Sequence, residues 1–275
     1  MMTKSDLLYA LLSVMIAFII ASITLVAMQR QMIYHPRRYP DHIELPKTIK
    51  TINYTVNKKH QTAFFVSKAH QPTTLWIFLN GNAALALQWL PLLNAIDTSQ
   101  CGFLLIDYPG YGFNQGSPNQ QSIRESVQNA VHEMKTRYPS ITAVNTIGQS
   151  LGAAVAVDTA SDLRPSSLIL ISPFTSLYDM ASIAVGQWWS QLLSPFLWDS
   201  FHTQDTLPVL RAKLPDLRVM IIHGTKDRVV PFSMGKSLAQ ENDWISFVSI
   251  IGMGHDMDDS ATQLVRSQIE NQCKE

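Results

Sequence analysis

A serine flanked by glycines stands in the pentapeptide GQSLG at positions 148–152. The residues before it, 143–147, are mostly apolar and partly β-branched, and those after it are rich in Ala and Val. The order strand, GxSxG, helix is typical of a nucleophile elbow, whose strained turn holds the serine hydroxyl clear of the backbone. Glycines at the flanking positions let the strand and the helix approach closely. A bare GxSxG arises by chance on the order of a few per cent of the time in a chain this long, so the prediction that Ser150 is a nucleophile depends on its flanks.

A serine hydroxyl needs a neighbouring imidazole to take its proton and a carboxylate to hold that imidazole in the right tautomer. Around such an elbow the expected chain order is Ser, then Asp or Glu, then His. His255 follows the last predicted strand on a glycine-rich loop. Asp227 follows the penultimate strand at its carboxyl end, where open α/β sheets place their sites. We therefore predict that His255 is the general base and that Asp227 orients it.

Simpler interpretations of these residues remain open. Asp227 follows a glycine by three positions and could be an ordinary turn aspartate. Asp256 and Asp258 adjoin the histidine, but they would have to fold back on their own loop. His223 lies inside an apolar segment, which favours a half-buried structural role. The other histidines lie outside the expected loop and are predicted to be surface or linker residues: His35, His42, His60, His70, His132 and His202.

The negative oxygen of a tetrahedral intermediate requires preorganised N–H donors. One predicted donor is the backbone N–H of Leu151, at the N-terminus of the helix that follows the nucleophile. The second predicted donor is the backbone N–H of Asn82, in the loop after the apolar strand Leu75–Leu79. Gly81 is expected to let this loop turn.

Strands and helices alternate along most of the chain, and most of the strands are continuous apolar runs. This pattern predicts an α/β fold whose mostly parallel sheet carries helices on both faces. An initial hairpin is expected at 51–56 and 63–66. Further strands are predicted at 75–79, 102–106, 143–147, 167–171, 218–222 and 245–251, and helices up to about 96, at 120–138, after Ser150, at 233–242 and at 261–272.

An uncharged apolar run of 22 residues, Leu7–Met28, is long enough to cross a bilayer as one helix. We interpret residues 1–29 as an uncleaved membrane anchor rather than a signal peptide, because the run is longer than a usual signal core and no small-x-small cleavage site follows. Arg30, Arg37 and Arg38 follow the run whereas Lys4 precedes it, which leans towards a cytoplasmic domain by the positive-inside rule.

Residues 30–50 form a Pro-, Arg- and Tyr-rich connector, which lies either against lipid headgroups or on the flank of the domain. A domain of ordinary enzyme size follows, at residues 51–275. The 21 basic and 21 acidic residues balance, so no basic excess suggests nucleic acid as a partner. Cys101 and Cys273 show neither a disulfide framework nor a metal spacing. The chemistry calls for no metal or organic cofactor.

Six motifs follow one another along the chain: NGNA at 80–83, DYPGYG at 107–112, GQSLG at 148–152, SPF at 172–174, HGTKD at 223–227 and GMGH at 252–255. Together they resemble the α/β-hydrolase superfamily, and specifically its membrane-anchored α/β-hydrolase-domain proteins with one N-terminal span. The resemblance covers the chain from about Thr51 onward and implies ester or thioester substrates. In that family the first motif usually begins with His, whereas Asn80 stands here. This change should affect the bracing of the loop more than the backbone donor.

Residues 175–216, called here the insert, lie where this fold carries elements that cover the site. The insert holds five aromatic side chains: Trp188, Trp189, Phe196, Trp198 and Phe201. They either form a small lid with an acyl-chain pocket or pack helices onto the sheet. We expect packing for most of them, with one or two at the pocket. A lid this short predicts an open, shallow site.

The sequence thus predicts a membrane-tethered serine hydrolase that forms an acyl-enzyme. The anchor favours lipid-like acyl substrates such as monoacylglycerols, lysophospholipids or S-acylated proteins. A serine peptidase of the same fold is less favoured, because there is no propeller or large cap domain to gate peptides. A non-catalytic membrane-bound binding protein is the rival from another class, although it would not need all of Ser150, Asp227 and His255. The oligomeric state is not predicted.

Overall fold

The structure is a computed structural model that describes residues 3–96 and 100–274. Its strands are β1 (Ile49–Val56), β2 (Lys59–Ser67), β3 (Thr74–Leu79), β4 (Cys101–Ile106), β5 (Ala143–Gln149), β6 (Ser167–Ile171), β7 (Arg218–Gly224) and β8 (Ser246–Ile250). They form one sheet in the order β1-β2-β4-β3-β5-β6-β7-β8. β2 pairs antiparallel with β1 and β4, and all other pairs are parallel. The predicted α/β fold with a mostly parallel sheet is confirmed.

Helices cover both faces of this sheet. They are α1 (Lys4–Ile33), α2 (Leu90–Asn94), α3 (Gln120–Arg137), α4 (Leu151–Leu163), α5 (Leu177–Val185), α6 (Gln187–Leu193), α7 (Thr203–Lys213), α8 (Phe232–Gln240) and α9 (Asp259–Gln272). Alternate residues of β3 belong to two separate cores: Leu75 and Ile77 pack with α3, α4 and α7, whereas Trp76 and Phe78 pack with α2 and α9. Because successive side chains of a strand point to opposite faces, a strand covered on both sides must be apolar throughout.

Local turn chemistry accounts for two differences from the predicted elements. Asn57 and Lys58 both have positive φ, so a two-residue turn joins β1 to β2, and the strands extend further than predicted. After β3, the predicted continuous helix is divided into a 3-10 turn at Ala86–Trp89 and the five-residue α2, which has a proline in its first turn.

The helix α1 has the length and apolar composition needed to cross a membrane, although a signal sequence would pass the same test. It begins at a capping box between Thr3 and Asp6. Much of α1 is exposed, but a stripe at positions 18, 21, 22, 25, 26, 29, 30 and 33 is partly or fully buried. This spacing places the stripe on one face of the helix.

The connector packs on the domain rather than projecting from it. The Arg38 guanidinium donates to the carbonyls of Gly112 and Asn114, at 3.2 and 2.8 Å. The Gly112 N–H donates to the Arg37 carbonyl at 2.8 Å, and Tyr34 is 2% exposed. Of the two interpretations of the connector, the structure supports the linker on the domain flank.

The two cysteines, whose spacing indicated no disulfide framework, are paired in the structure. Cys101, at the start of β4, and Cys273, just after α9, form a disulfide with a Cα–Cα distance of 5.7 Å. Both are buried. Their separation of 172 positions gives no spacing signal, because only the packing of α9 against the sheet brings the two ends together.

Removing the disulfide should destabilise the domain. We expect Cys273→Ser to lower the free energy of unfolding by about 2–5 kcal/mol, since the cross-link restricts the unfolded chain over a long loop. Chemical denaturation in detergent measures the change, and the unmodified protein under reducing conditions serves as the control and should show the same loss. Two alkylatable thiols in the non-reduced, denatured protein would contradict the pairing.

Candidate active site

Ser150 lies in a tight turn between β5 and α4. Its φ and ψ are 53° and −116°, a conformation that non-glycine residues rarely adopt. Its N–H donates to the Ile171 carbonyl at 2.8 Å, which fixes the turn against β6. A Cβ at Gly148 would overlap the Gly152 carbonyl, and a Cβ at Gly152 would overlap the Leu79 carbonyl. Glycine is therefore required on both sides of the serine by close backbone contacts, as the sequence predicted.

The imidazole of His255 contacts the carboxylate of Asp227 directly. Nδ1 of His255 and Oδ2 of Asp227 are 2.8 Å apart, and the Asp227 side chain is fully buried. Because a carboxylate only accepts, Nδ1 carries the proton and Nε2 of the neutral ring is left as an acceptor. This is the tautomer that a general base needs.

Hydrogen bonds keep the Asp227 carboxylate ionised. Burial by itself would raise its pKa, but the His255 imidazole and the backbone N–H groups of Val229 and Val230 together lower the pKa below its ordinary value. The two N–H groups donate to Oδ1 at 2.8 and 2.9 Å. These contacts also fix the carboxylate, so Asp227 is more than an ordinary turn residue.

His223 is fully buried, not half-buried as expected, and it contacts the same carboxylate. Its Nε2 donates to the Val230 carbonyl at 3.1 Å and lies 3.4 Å from Oδ2 of Asp227. Burial lowers the pKa of His223, which favours the neutral ring. A Cβ at Gly235 would overlap this ring, so α8 packs closely on it. His223 thus holds the loop that carries Asp227, a role that its apolar sequence context does not indicate.

The loop that carries His255 lies across the carboxyl ends of β5 and β6. The His255 carbonyl accepts from Gln149 Nε2 and from Ser172 Oγ, each at 3.3 Å, and Gln149 directly precedes Ser150. Among the described residues no hydrogen bond joins Ser150 Oγ to the imidazole. The structure therefore links His255 to Asp227 directly and places both loops at the sheet edge that holds Ser150. Catalytic hydrogen bonds are often long before substrate binds.

Ser150, Leu151 and Asn82 line one cavity of about 280 Å³. Leu151 is the first residue of α4, so its N–H has no partner within the helix. No hydrogen-bond acceptor among the described residues takes the Asn82 N–H. The positive φ of this loop, 60°, belongs to Ala83, whereas Gly81 lies against the Cβ of Ser150. The turn therefore lies at Asn82 and Ala83 rather than at Gly81.

The Asn82 side chain is held by two residues outside its own loop. Its Oδ1 accepts from the Tyr111 hydroxyl at 3.0 Å and from the His35 N–H at 2.8 Å, and its Nδ2 lies 2.7 Å from Nδ1 of His35. His35, predicted to be a surface or linker residue, therefore contacts the candidate site. Tyr111 belongs to the DYPGYG motif, and this membership was the one signal that could have indicated a role near the site.

Asn80 braces the same loop in place of the histidine that is usual in the family. Its side chain donates to the Ile106 carbonyl at 2.9 Å and accepts from the indole N–H of Trp89 at 2.7 Å. Its carbonyl accepts from the Tyr108 hydroxyl at 2.8 Å. The side chain is 2% exposed. Asn80 thus connects β3 to β4 and to the turn after it.

Asp107 supports this turn from β4 and gives the stability a dependence on pH. Its Oδ1 accepts from the Ala86 N–H at 2.8 Å, but burial raises its pKa from 3.8 to about 6. Between pH 3.8 and about pH 6, Asp107 is therefore protonated in the folded protein and ionised in the unfolded chain. Its contribution to stability is fully present below about pH 4 and is lost as pH rises through about 6.

We expect Asp107→Asn to remove this dependence. The stability of the unmodified protein relative to the variant should fall by at most roughly 3 kcal/mol between pH 4 and pH 8, from 1.36 kcal/mol per unit of pKa difference. Denaturation midpoints at both pH values measure it, with Asp243→Asn as the control because Asp243 is exposed. Parallel pH profiles for the unmodified protein and Asp107→Asn would contradict this interpretation.

The insert covers the cavity with aliphatic side chains. Leu177, Met180, Val185, Leu193 and Leu197 contribute to its wall. None of the five aromatic residues lines it, so the expectation that one or two reach the pocket is wrong. Phe201 is buried in the core, whereas Trp188, Phe196 and Trp198 are exposed. α1 contributes Leu25, Gln29, Met32 and Ile33 to the same wall, and Phe174 and Val229 line it from outside both segments.

The fold and the elbow define a class of protein. An eight-stranded, mostly parallel sheet with a serine elbow at its carboxyl edge is the arrangement of the α/β hydrolases. Residues 75–198 match the family model described as the alpha/beta hydrolase fold. The chain thus has the α/β-hydrolase fold, and this match supports the α/β-hydrolase superfamily.

Individual relatives agree with this assignment. Alpha/beta hydrolase domain-containing protein 17C of Xenopus tropicalis is 30% identical over 165 residues, which are 59% of this chain and 49% of that protein. The chain thus spans about half the length of the curated relatives it matches. The esterase Pf2001 of Pyrococcus furiosus superposes with a TM-score of 0.67 at 15% identity, covering 87% of this chain and 98% of the esterase. The thioesterase domain from the curacin biosynthetic pathway superposes with a TM-score of 0.55 at 14% identity, covering 80% and 99%.

Proposed function

We propose that the protein is a membrane-anchored serine hydrolase that cleaves carboxylic ester or thioester bonds through an acyl-enzyme. The observation that carries this proposal is the 2.8 Å contact between His255 Nδ1 and Asp227 Oδ2 on loops that border a strained Ser150. A chain that only bound ligands would gain nothing from an ionised carboxylate fixed by two N–H groups and aimed at an imidazole.

The proposed reaction has two steps. Nε2 of His255 takes the proton of Ser150 while Oγ attacks the substrate carbonyl carbon. The N–H groups of Leu151 and Asn82 stabilise the negative oxygen, and the N-terminus of α4 adds favourable electrostatics. His255 then protonates the leaving alkoxide or thiolate, and the acyl group stays on Ser150. Water, activated by the same imidazole, hydrolyses the acyl-enzyme.

The cavity supports acyl substrates in particular. The named wall residues from the insert are aliphatic, and those from α1 include Leu25, Met32 and Ile33. A wall of this kind favours a hydrocarbon chain over a peptide backbone, which would need polar partners. The names of the superposed esterase and thioesterase agree with ester and thioester chemistry. The serine peptidase therefore remains the less favoured alternative.

A fluorophosphonate probe tests the proposal against the non-catalytic rival. The probe should modify the native full-length protein once, and peptide mass spectrometry should locate it on Ser150. Heat-denatured protein is the control and should not react. Native protein that remains unlabelled and also fails to hydrolyse p-nitrophenyl esters from acetate to palmitate would favour the rival.

We further propose that the catalytic domain lies on the oxidising side of the membrane. The Cys101–Cys273 disulfide supports this side, because disulfides rarely persist in the cytoplasm. The basic residues behind the cytoplasmic expectation have other partners: Arg30 pairs with Asp199 at 3.2 Å, and Arg38 binds two carbonyls of the domain. In sealed vesicles that expose only the cytoplasmic face of the membrane, the domain should resist added protease, and its digestion there would place it in the cytoplasm.

A further inference from the structure

The helix α1 contacts the insert along about half of its length, from Phe18 onward. Phe18 stacks on Trp189 with ring centroids 4.9 Å apart and also contacts Trp188 at 5.5 Å. Gln29, which is 6% exposed, accepts from the Trp198 N–H at 2.9 Å and donates to the Phe196 carbonyl at 3.2 Å. These contacts make α1 part of the folded domain rather than a separate tether.

The same face of α1 forms a wall of the candidate active site. Leu25, Gln29, Met32 and Ile33 line the cavity that contains Ser150. They recur every three or four residues, so they share one side of the helix. One wall of the cavity that holds the nucleophile therefore comes from the segment that is long and apolar enough to span a membrane.

The insert exposes large apolar side chains close to α1. Their exposed fractions range from 42% to 62%: Ile183, Trp188, Leu192, Phe196 and Trp198. Soluble surfaces rarely carry such a group of neighbouring apolar side chains, which marks contact with a membrane or a partner. Because Trp188 packs on α1 itself, lipid that surrounds α1 would also surround this part of the insert.

Distances along α1 place these contacts within one leaflet. The run Leu7–Met28 is about 33 Å long at 1.5 Å per residue, close to the roughly 30 Å thickness of a hydrocarbon core. Phe18 lies about 15 Å from the domain end of the run by the same rise. The Phe18 contacts thus bring the insert to the depth of acyl chains, and Leu25 lies near the headgroup boundary.

We infer that the acyl chain of the substrate passes directly from the bilayer into the pocket between α1 and the insert, so that α1 is both anchor and acyl-binding wall. This inference rests on the proposed function and adds the substrate class: single-chain acyl esters or thioesters that reside in the leaflet. Their carbonyl reaches Ser150 at the headgroup level while the hydrocarbon stays among Leu25, Met32 and the aliphatic residues of the insert.

The experiment compares two substitutions on α1 in the full-length protein in lipid nanodiscs. Leu25→Trp narrows the pocket, whereas Ile16→Trp is the matched control, because Ile16 is exposed and does not line the cavity. We expect Leu25→Trp to lower kcat/KM for p-nitrophenyl decanoate by about tenfold or more, the effect of a misfit of one or a few methylenes. Hydrolysis of the acetate ester should stay within twofold in Ile16→Trp, and the ratio of decanoate to acetate hydrolysis should fall only in Leu25→Trp.

Met32→Trp provides a second pocket substitution if Leu25→Trp does not fold. An unchanged decanoate-to-acetate ratio in a folded pocket variant would overturn the inference while leaving the hydrolase intact. If the unmodified protein neither hydrolyses the acetate ester nor reacts with the fluorophosphonate probe, the proposed function itself is contradicted.

Bromine-labelled acyl chains test the depth of the insert without relying on activity. They should quench tryptophan fluorescence in the unmodified protein and less in Trp188→Phe. Equal quenching in the two proteins would show that Trp188 lies outside the leaflet and would overturn the proposed route from the bilayer.

Discussion

Replacing Ser150 by alanine should lower kcat for ester hydrolysis by roughly 10⁴- to 10⁶-fold, the range found when a catalytic serine is removed. The proposed acyl-enzyme cannot form without Oγ, and the imidazole of His255 has no comparable nucleophile beside it. Fluorophosphonate labelling should disappear at the same time. Stopped assays with p-nitrophenyl butyrate and intact-protein mass spectrometry measure the two effects.

The Ser150 result requires controls for folding and for other serines. Ser237→Ala changes a serine on α8 whose hydroxyl donates to Glu241, away from the cavity, and it should keep full activity. Ser150→Ala itself should retain its unfolding midpoint within a few degrees, because the smaller alanine side chain adds no strain to the backbone at the φ of 53°. Retained ester hydrolysis or probe labelling in folded Ser150→Ala would exclude Ser150 as the nucleophile.

Asp227→Asn should lower kcat by about 10⁴-fold with little change in the fold. The amide Oδ1 can still accept from the N–H groups of Val229 and Val230, so the loop keeps its position. The amide NH₂ that faces His255 now donates to Nδ1, which moves the ring proton to Nε2 and removes the base. Part of the lost rate should return at high pH, where hydroxide can take the serine proton.

Asp256→Asn is the matched control for the choice of acid. Asp256 is the neighbour of His255, but its carboxylate accepts from Gln149 Nε2 at 3.3 Å rather than from the imidazole. We expect less than a fivefold change in kcat. A large loss in Asp256→Asn together with a small loss in Asp227→Asn would show that the histidine uses the adjacent carboxylate.

Local sequence patterns were sufficient to predict the sheet and the elbow. The apolar runs at 167–171 and 102–106 became β6 and β4 almost without change, because strands buried on both faces admit few polar residues. The glycines around Ser150 indicated the elbow because backbone contact excludes any side chain there. The order Ser, Asp, His placed Asp227 and His255 at one sheet edge, where their contact is 2.8 Å.

Contacts between distant segments could not be obtained in this way. The Cys101–Cys273 disulfide, the packing of Phe18 on Trp189 and the hydrogen bonds of His35 to Asn82 join residues separated by 172, 171 and 47 positions. The buried His223 beneath Asp227 is close in sequence, but its burial depends on α8. The sequence by itself determined the sheet, the elbow and the types of side chain at the sheet edge, because these features depend on periodicity and backbone contacts within short stretches of the chain. Only the tertiary structure decided which cysteines pair, what braces the site and which helix walls the pocket, because those outcomes depend on side chains that meet after the sheet has formed.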